Sequence, residues 1–229
     1  MLSNIKLPLN WKIIVFLVIL EILTVPIVAI SNTIVIKNPI YILAMGFGAG
    51  AFALLVIMQL IVRPIRIYFS KLVGTEIVKI HGALYIGLIS GFLLMFMFYL
   101  QELTYRFTNS DYIVGTVSAF FSVSVSLILY TVIEKLFNYG IKIKTVSNQT
   151  YLLAFPLKDI LVITLLFSLY ETIASPLSIL WIPHFEHRFL WGIISGIASG
   201  VIGGLPITII SYVTGYKITI NLKLQDCHG

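Results

Sequence analysis

Six apolar runs, each long enough to cross a lipid bilayer, constrain this chain more than any other feature. They cover Trp11–Ile30, Ile40–Val62, Ile80–Leu100, Tyr112–Ile133, Ile160–Leu180 and Phe189–Val213. A helix of about 20 mostly apolar residues spans a hydrocarbon core of roughly 30 Å. Membrane-spanning strands would be shorter and would alternate in polarity, whereas these runs are continuous. Charged residues make up 10% of the 229-residue chain, against about 25% in a soluble domain. That is too few to cover a water-facing surface, which excludes a soluble enzyme, a disordered tail and an ordinary nucleic-acid-binding domain. The pattern predicts an all-α integral membrane protein: one domain over Met1–Gly229, a bundle of six transmembrane helices passing repeatedly through the cell membrane. Its surroundings are the lipid bilayer, and no nucleic-acid partner is expected.

The charges sort by connection. Lys6 precedes the first run and Lys12 is its second residue; Arg63, Arg66, Lys71 and Lys79 follow the second; Lys135, Lys142, Lys144 and Lys158 follow the fourth; Lys217 and Lys223 follow the sixth. These twelve basic residues fall on one side of an alternating bundle, and only Lys37, Arg106 and Arg188 fall on the other. By the positive-inside rule both termini are cytoplasmic. The first run is too long for the apolar part of a signal peptide and ends without a small-residue cleavage site, so it reads as a retained span. The stretch Arg63–Lys79 is amphipathic and is expected to lie along the interface as a short helix. Its cations enforce topology in the first instance; they also suit anionic lipid headgroups.

Self-comparison finds a repeat. Glu21 and Glu171, Pro26 and Pro176, Gly46 and Gly196, and Gly50 and Gly200 all match at one offset of 150. The hairpin 11–62 therefore resembles the hairpin 160–213, while the middle hairpin 80–133 shows no comparable match. Both matching hairpins run in the same direction, so the repeat of helices 1–2 and 5–6 is parallel, about an axis along the membrane normal.

The repeat carries the candidate site. Intramembrane glutamates are rare and, when ionised, costly in lipid by about 2.5–3.5 kcal/mol or more. Proline five residues on lacks an N–H and frees the carbonyl four residues before it, here those of Ile22 and Thr172. Glu21, Glu171 and these two carbonyls are the expected ligand-binding groups, and a cation, a proton or a cationic small molecule is their natural partner. No Lys or Arg lies at mid-span to neutralise them. The competing reading has both glutamates protonated and hydrogen-bonded across a helix interface.

Glycines spaced by four mark helix-packing seams: Gly192, Gly196, Gly200 and Gly204 on the sixth span, Gly46 and Gly50 on the second, Gly87 and Gly91 on the third. Ser118, Ser122 and Ser126 repeat the spacing on the fourth. Outside the spans, His184, Glu186 and His187, with Glu102 and Asp111, read as a solvated loop because their spacing matches no zinc signature. The one cysteine, Cys227, can build neither an intramolecular disulfide nor a thiolate metal site. No histidine lies at depth to hold haem, and no nucleophile-and-base, phosphate-loop or dinucleotide motif is present. No cofactor, metal or enzymatic activity is expected.

With six helices, both ends inside, and glycine-rich stretches such as Gly46–Gly50 and Gly192–Gly200, the chain loosely resembles the substrate-binding S subunits of energy-coupling factor transporters. The resemblance lies in topology alone. It implies an outward-open small-molecule pocket and docking onto a membrane coupling protein with two ATPases. The family's small-residue docking signature belongs on the first helix, where Trp11–Ile30 offers only Ala29, and no binding residue is carried over. The expected function is a membrane transport component that binds a small cationic solute or coupling ion at the glutamates. The alternative is a non-catalytic membrane subunit or assembly factor packing its glycine ridges against a partner subunit.

Overall fold

The computed structural model describes residues 3–8, 11–31, 40, 43–52, 66–67, 70–71, 74–181 and 188–225. Helix α1 covers Trp11–Ser31, and α2 is described over Leu43–Phe52. The longer helices α3 (Ala83–Tyr105), α4 (Asp111–Phe137), α5 (Leu157–Trp181) and α6 (Arg188–Thr214) follow. α4 shows why the boundaries fall where they do. Asp111 in its first turn and Lys135 in its last oppose the helix dipole, and Asn138 ends it in the left-handed conformation, φ 50°. Among the described residues four helices, α3 to α6, are long and apolar enough to cross a membrane. Their outer faces leave Phe121, Leu165, Ile197 and Ile209 exposed, a surface that water would not tolerate but lipid would. The protein is a membrane protein with transmembrane helices.

The all-α expectation requires correction. Among the described residues five strands, β1 (Ser3–Pro8), β2 (Ile77–His81), β3 (Lys142–Thr145), β4 (Thr150–Ala154) and β5 (Lys217–Leu224), form one antiparallel sheet in the order β1-β5-β4-β3-β2. The third span accordingly begins at Ala83, and Ile80 and His81 belong to β2. The interfacial helix expected over Arg63–Lys79 is also corrected: Arg66, Ile67, Ser70 and Lys71 are helical, but Lys79 is on β2. The cause is period-two alternation, which puts every second side chain on one face of a strand. β5 reads Lys-Ile-Thr-Ile-Asn-Leu-Lys-Leu, and its Ile220 and Leu222 are buried. Each strand contributes to one apolar cluster, formed by Ile5, Ile77, Ile143, Leu153, Ile220 and Leu222. Ile5 opposes Ile220, and Leu153 opposes Leu222.

One sheet holding all five strands fixes the helix directions. β1 precedes α1, β2 precedes α3, β3 and β4 lie between α4 and α5, and β5 follows α6. Helices α1, α3 and α5 therefore leave the sheet, and α4 and α6 return to it. The two chain ends pair side by side, β1 with β5. The segments β2-α3-α4-β3 and β4-α5-α6-β5 share one topology, a helix hairpin whose flanking strands pair antiparallel.

Polar ties join helices to sheet. Asp159, buried in the first turn of α5, accepts from Tyr216 Oη at 2.6 Å and from the Thr219 amide at 3.0 Å. Desolvation, and then the Asp159 carboxylate, push the Tyr216 phenol up to about 12. With an unfolded value near 10, this contribution is complete below about pH 10 and is lost as pH rises through 12. Tyr216→Phe should cost about 1.5 kcal/mol, the low end for a bond to a charged acceptor, because Tyr216 remains partly solvated. The deficit measured by denaturant titration at pH 8 should shrink above pH 11. A deficit that is unchanged there would show that the phenol does not act through this bond.

Candidate functional site

The glycine seams bring the two glutamates into one buried cluster. α6 lies antiparallel on α1, and its glycines track that helix residue by residue. A Cβ on Gly192 would sit 2.7 Å from Pro26 Cα, one on Gly196 2.7 Å from the Glu21 carbonyl oxygen, and one on Gly200 2.5 Å from Val18 Cα. Gly204 continues the seam against Ile14 and Leu17. Only a helix without side chains along this line lets the backbones approach so closely. The same device recurs on α4, where a Cβ on Gly115 would meet the Glu171 carbonyl oxygen at 2.6 Å. Each glutamate thus stands where a neighbouring helix presents a glycine to its backbone.

Both side chains point inward. Glu21 is 7% exposed and Glu171 5%. Tyr170, fully buried beside Glu171 in sequence, donates its hydroxyl to Glu21 Oε1 at 2.7 Å. The ring of Tyr170 packs with Leu17, Ala174 and Ile207 and lies flush against Gly203, whose added Cβ would be 2.7 Å from it. Tyr170 links α1 to α5, bonding the Glu21 carboxyl one residue before Glu171. It was not among the residues expected from the sequence, although a tyrosine next to an intramembrane glutamate is the signal that identifies it.

The other expected groups fall around this cluster. Pro26 and Pro176 stand inside α1 and α5 without interrupting either helix. Thr172 donates its hydroxyl to the Ser168 carbonyl at 2.6 Å and shares a hydrogen bond of 2.6 Å with Thr116 Oγ1, and Ile22 is half-buried one residue after Glu21. Gly46 and Gly50 pack on α3: Gly50 sits against Ser90 and Gly91, and Gly91 against Phe47. Gly87 is buried on α3. The loop residues His184, Glu186 and His187, and Cys227 at the end, lie outside the described residues.

An open groove of ≈ 700 Å³ lies at the sheet end, lined by Arg66, Ser70, Lys71, Thr75 and Val78 among others. Arg66 Nη1 donates to the Val78 carbonyl at 3.2 Å, and the Ile77 amide donates to Ser70 Oγ at 2.8 Å.

Chemically, the buried pair supplies up to four carboxyl oxygens and one phenol, and among the described residues no Lys or Arg lies in the interior of α1 to α6. Two carboxyls in such surroundings are stable only with protons or a cation in place. Comparison with known protein families, curated proteins and solved structures finds no match to this chain.

Proposed function

We propose that the protein is a non-enzymatic transport component of the cell membrane that holds a small cationic solute or a coupling ion at Glu21 and Glu171. The observation that carries this reading is the burial of both carboxyls, with the Tyr170 hydroxyl tying Glu21 of α1 to the α5 segment that carries Glu171, and with no described Lys or Arg in the interior of α1 to α6. Structural packing alone is served well by apolar residues, whereas intramembrane acids facing a bundle interior mark ion and proton sites. The proposal includes six spans and cytoplasmic termini. Its supports are the twelve basic residues that the sequence puts at alternate connections and the sheet whose strands lie in those same connections. A parallel repeat of helices 1–2 and 5–6 is part of the same reading, supported by the equivalent use of glycine. Gly196 closes on α1 and Gly46 on α3, each from the second helix of its hairpin onto the first helix of the next.

The alternative, a subunit or assembly factor that packs on a partner through its glycine ridges, draws less support. Gly50, Gly91, Gly192, Gly196 and Gly200 all face the chain's own helices. A coupling-protein partner of the energy-coupling factor kind would be recognised by ATPase subunits copurifying from native membrane.

Glu21→Gln and Glu171→Gln test the site. Glutamine keeps the shape and hydrogen-bonding capacity but carries no charge. Each change should abolish cation binding, or proton uptake, by the purified protein while moving its Tm little. Variants that bind cations and take up protons like the wild type would reduce both acids to packing residues.

A further inference from the structure

α4 carries a row of buried polar groups that the helix-packing seam does not require. Ser118, Ser122, Ser126, Tyr130 and Glu134 recur every four residues, and each is at most 3% exposed. The row runs from the level of the acid pair to the sheet. Its upper end is set by Gly115 on the Glu171 carbonyl and by the Thr116–Thr172 hydroxyl pair. At its lower end Glu134 Oε1 meets Lys223 of β5 at 2.7 Å, and Lys223 reaches solvent.

The second observation is independent of that spacing. Among the described residues three buried side-chain atoms have no hydrogen-bond partner: Tyr85 Oη, Ser126 Oγ and Glu134 Oε2. All three adjoin Tyr130. Ser126 lies one turn before it, Glu134 one turn after it, and the ring of Tyr85 lies 5.7 Å from its ring. Tyr130 Oη itself is occupied, donating to the Leu153 carbonyl at 2.9 Å and accepting from the Ile141 amide at 3.2 Å. Buried polar atoms without a protein partner are the places where internal water sits. The dimensions suit it. Four residues of helix rise by about 6 Å, the span of one water making two hydrogen bonds of about 2.8 Å each. The serines keep lone pairs for such waters, because Ser118 and Ser122 use their own protons on carbonyls of α4.

We propose that this row, with water molecules bridging Tyr85, Ser126 and Glu134, is a proton path joining the sheet end of the protein to the Glu21–Glu171 pair. It rests on the reading of that pair as an ion site and names the ion as the proton. A proton enters at Glu134, whose partner Lys223 on β5 reaches solvent. It passes by exchange between hydroxyls and waters, each accepting one proton and releasing another, and ends on a carboxylate of the pair, so no other reactant is needed. The groups facing the entrance are Lys223 from β5, Tyr85 from α3, Tyr130 from α4 itself and Tyr139 beyond its end, the last 5.2 Å ring to ring from Tyr85.

The test uses the full chain in phosphatidylcholine–phosphatidylglycerol vesicles, with the carboxyl C=O infrared band followed after a pH jump. The wild-type band should rise on acidification and be lost in Glu21→Gln and Glu171→Gln. Ser122→Ala/Ser126→Ala and Glu134→Gln should slow its appearance by about tenfold, the rate equivalent of one lost hydrogen bond, with its midpoint pH unchanged. Ser126→Thr, which restores a hydroxyl, should keep the wild-type rate. A purely structural role for the row would move the midpoint or the stability without this separation of rate from equilibrium. Equal rates in all row variants, with a pair that still titrates, would overturn the path alone. A wild-type band that does not titrate would overturn the proton reading of the pair and the path with it. A high-resolution structure offers a second check, since Tyr85 Oη, Ser126 Oγ and Glu134 Oε2 should each contact ordered water, and dry atoms would overturn the path.

Discussion

Lys223→Met should lower stability by about 2–3 kcal/mol, and by nearly the same amount at low and at high salt. Removing one partner of a fully buried ion pair costs about 3–5 kcal/mol, because the other charge is left without compensation. Glu134 is 3% exposed and lies 2.7 Å from Lys223 Nζ, but the lysine side chain is itself 41% exposed. Water can partly replace it, which moves the figure below that range. Salt has little influence because the carboxylate lies beneath the sheet and is poorly screened. The double variant Glu134→Gln/Lys223→Met should recover part of the loss, since neutral glutamine leaves no buried charge behind. Denaturant titration of the four proteins in a mutant cycle measures this coupling. A cycle that closes with no interaction energy would show that the pair contributes nothing beyond its two separate side chains.

Gly196→Ala should cost about 1–3 kcal/mol, and Gly196→Val should prevent α1 from docking on α6 altogether. The added atom of alanine would lie 2.7 Å from the Glu21 carbonyl oxygen, 2.8 Å from its carbonyl carbon and 2.9 Å from the Ile22 amide nitrogen. These are backbone atoms of a packed helix, so relief requires α1 to move away along its whole length. The same movement pulls Glu21 from the Tyr170 hydroxyl. Thermal unfolding in detergent, with crosslinking between cysteines placed on α1 and α6, would register both effects. Gly48→Ala is the control, since nothing lies within 4 Å of a Cβ there. If Gly196→Val crosslinks and melts like the control, the seam is not what holds α1 in place.

Several features were open to reading in the residues alone. Apolar runs at bilayer length identify the long helices, because lipid leaves a spanning backbone no alternative to internal hydrogen bonding. The described helices α3 to α6 begin and end within a few residues of the predicted runs. Glu21 and Glu171 were recognisable as buried because an acid in a lipid-facing position is expensive, and both are buried. Glycine spacing likewise foretold close backbone packing, and Gly192, Gly196 and Gly200 pack in that way. The sheet was also present in the pattern, in Lys217–Leu224 and Lys142–Thr145. It was missed because strands of four to eight residues were absorbed into charged connections beside much stronger helical signals.

Pairing was beyond the reach of the residues. Nothing local tells which helix a glycine ridge will meet, since a ridge is complementary to any closely approaching backbone. The chain joins α6 to α1 and α4 to α5 because the strands flanking them pair in one order, β5 with β1 and β4 with β3. Tyr170 became part of the acid cluster only through that pairing, 149 positions from Glu21 in sequence, and Lys223 met Glu134 in the same way across 89. Length, polarity and spacing are properties of the chain read in order, so composition and periodicity determine which segments cross the bilayer and which side chains are hidden. Contacts between distant segments depend on which surfaces pack best once every backbone group is satisfied. That choice belongs to the whole tertiary structure, and it is what brings two isolated carboxyls together in one site.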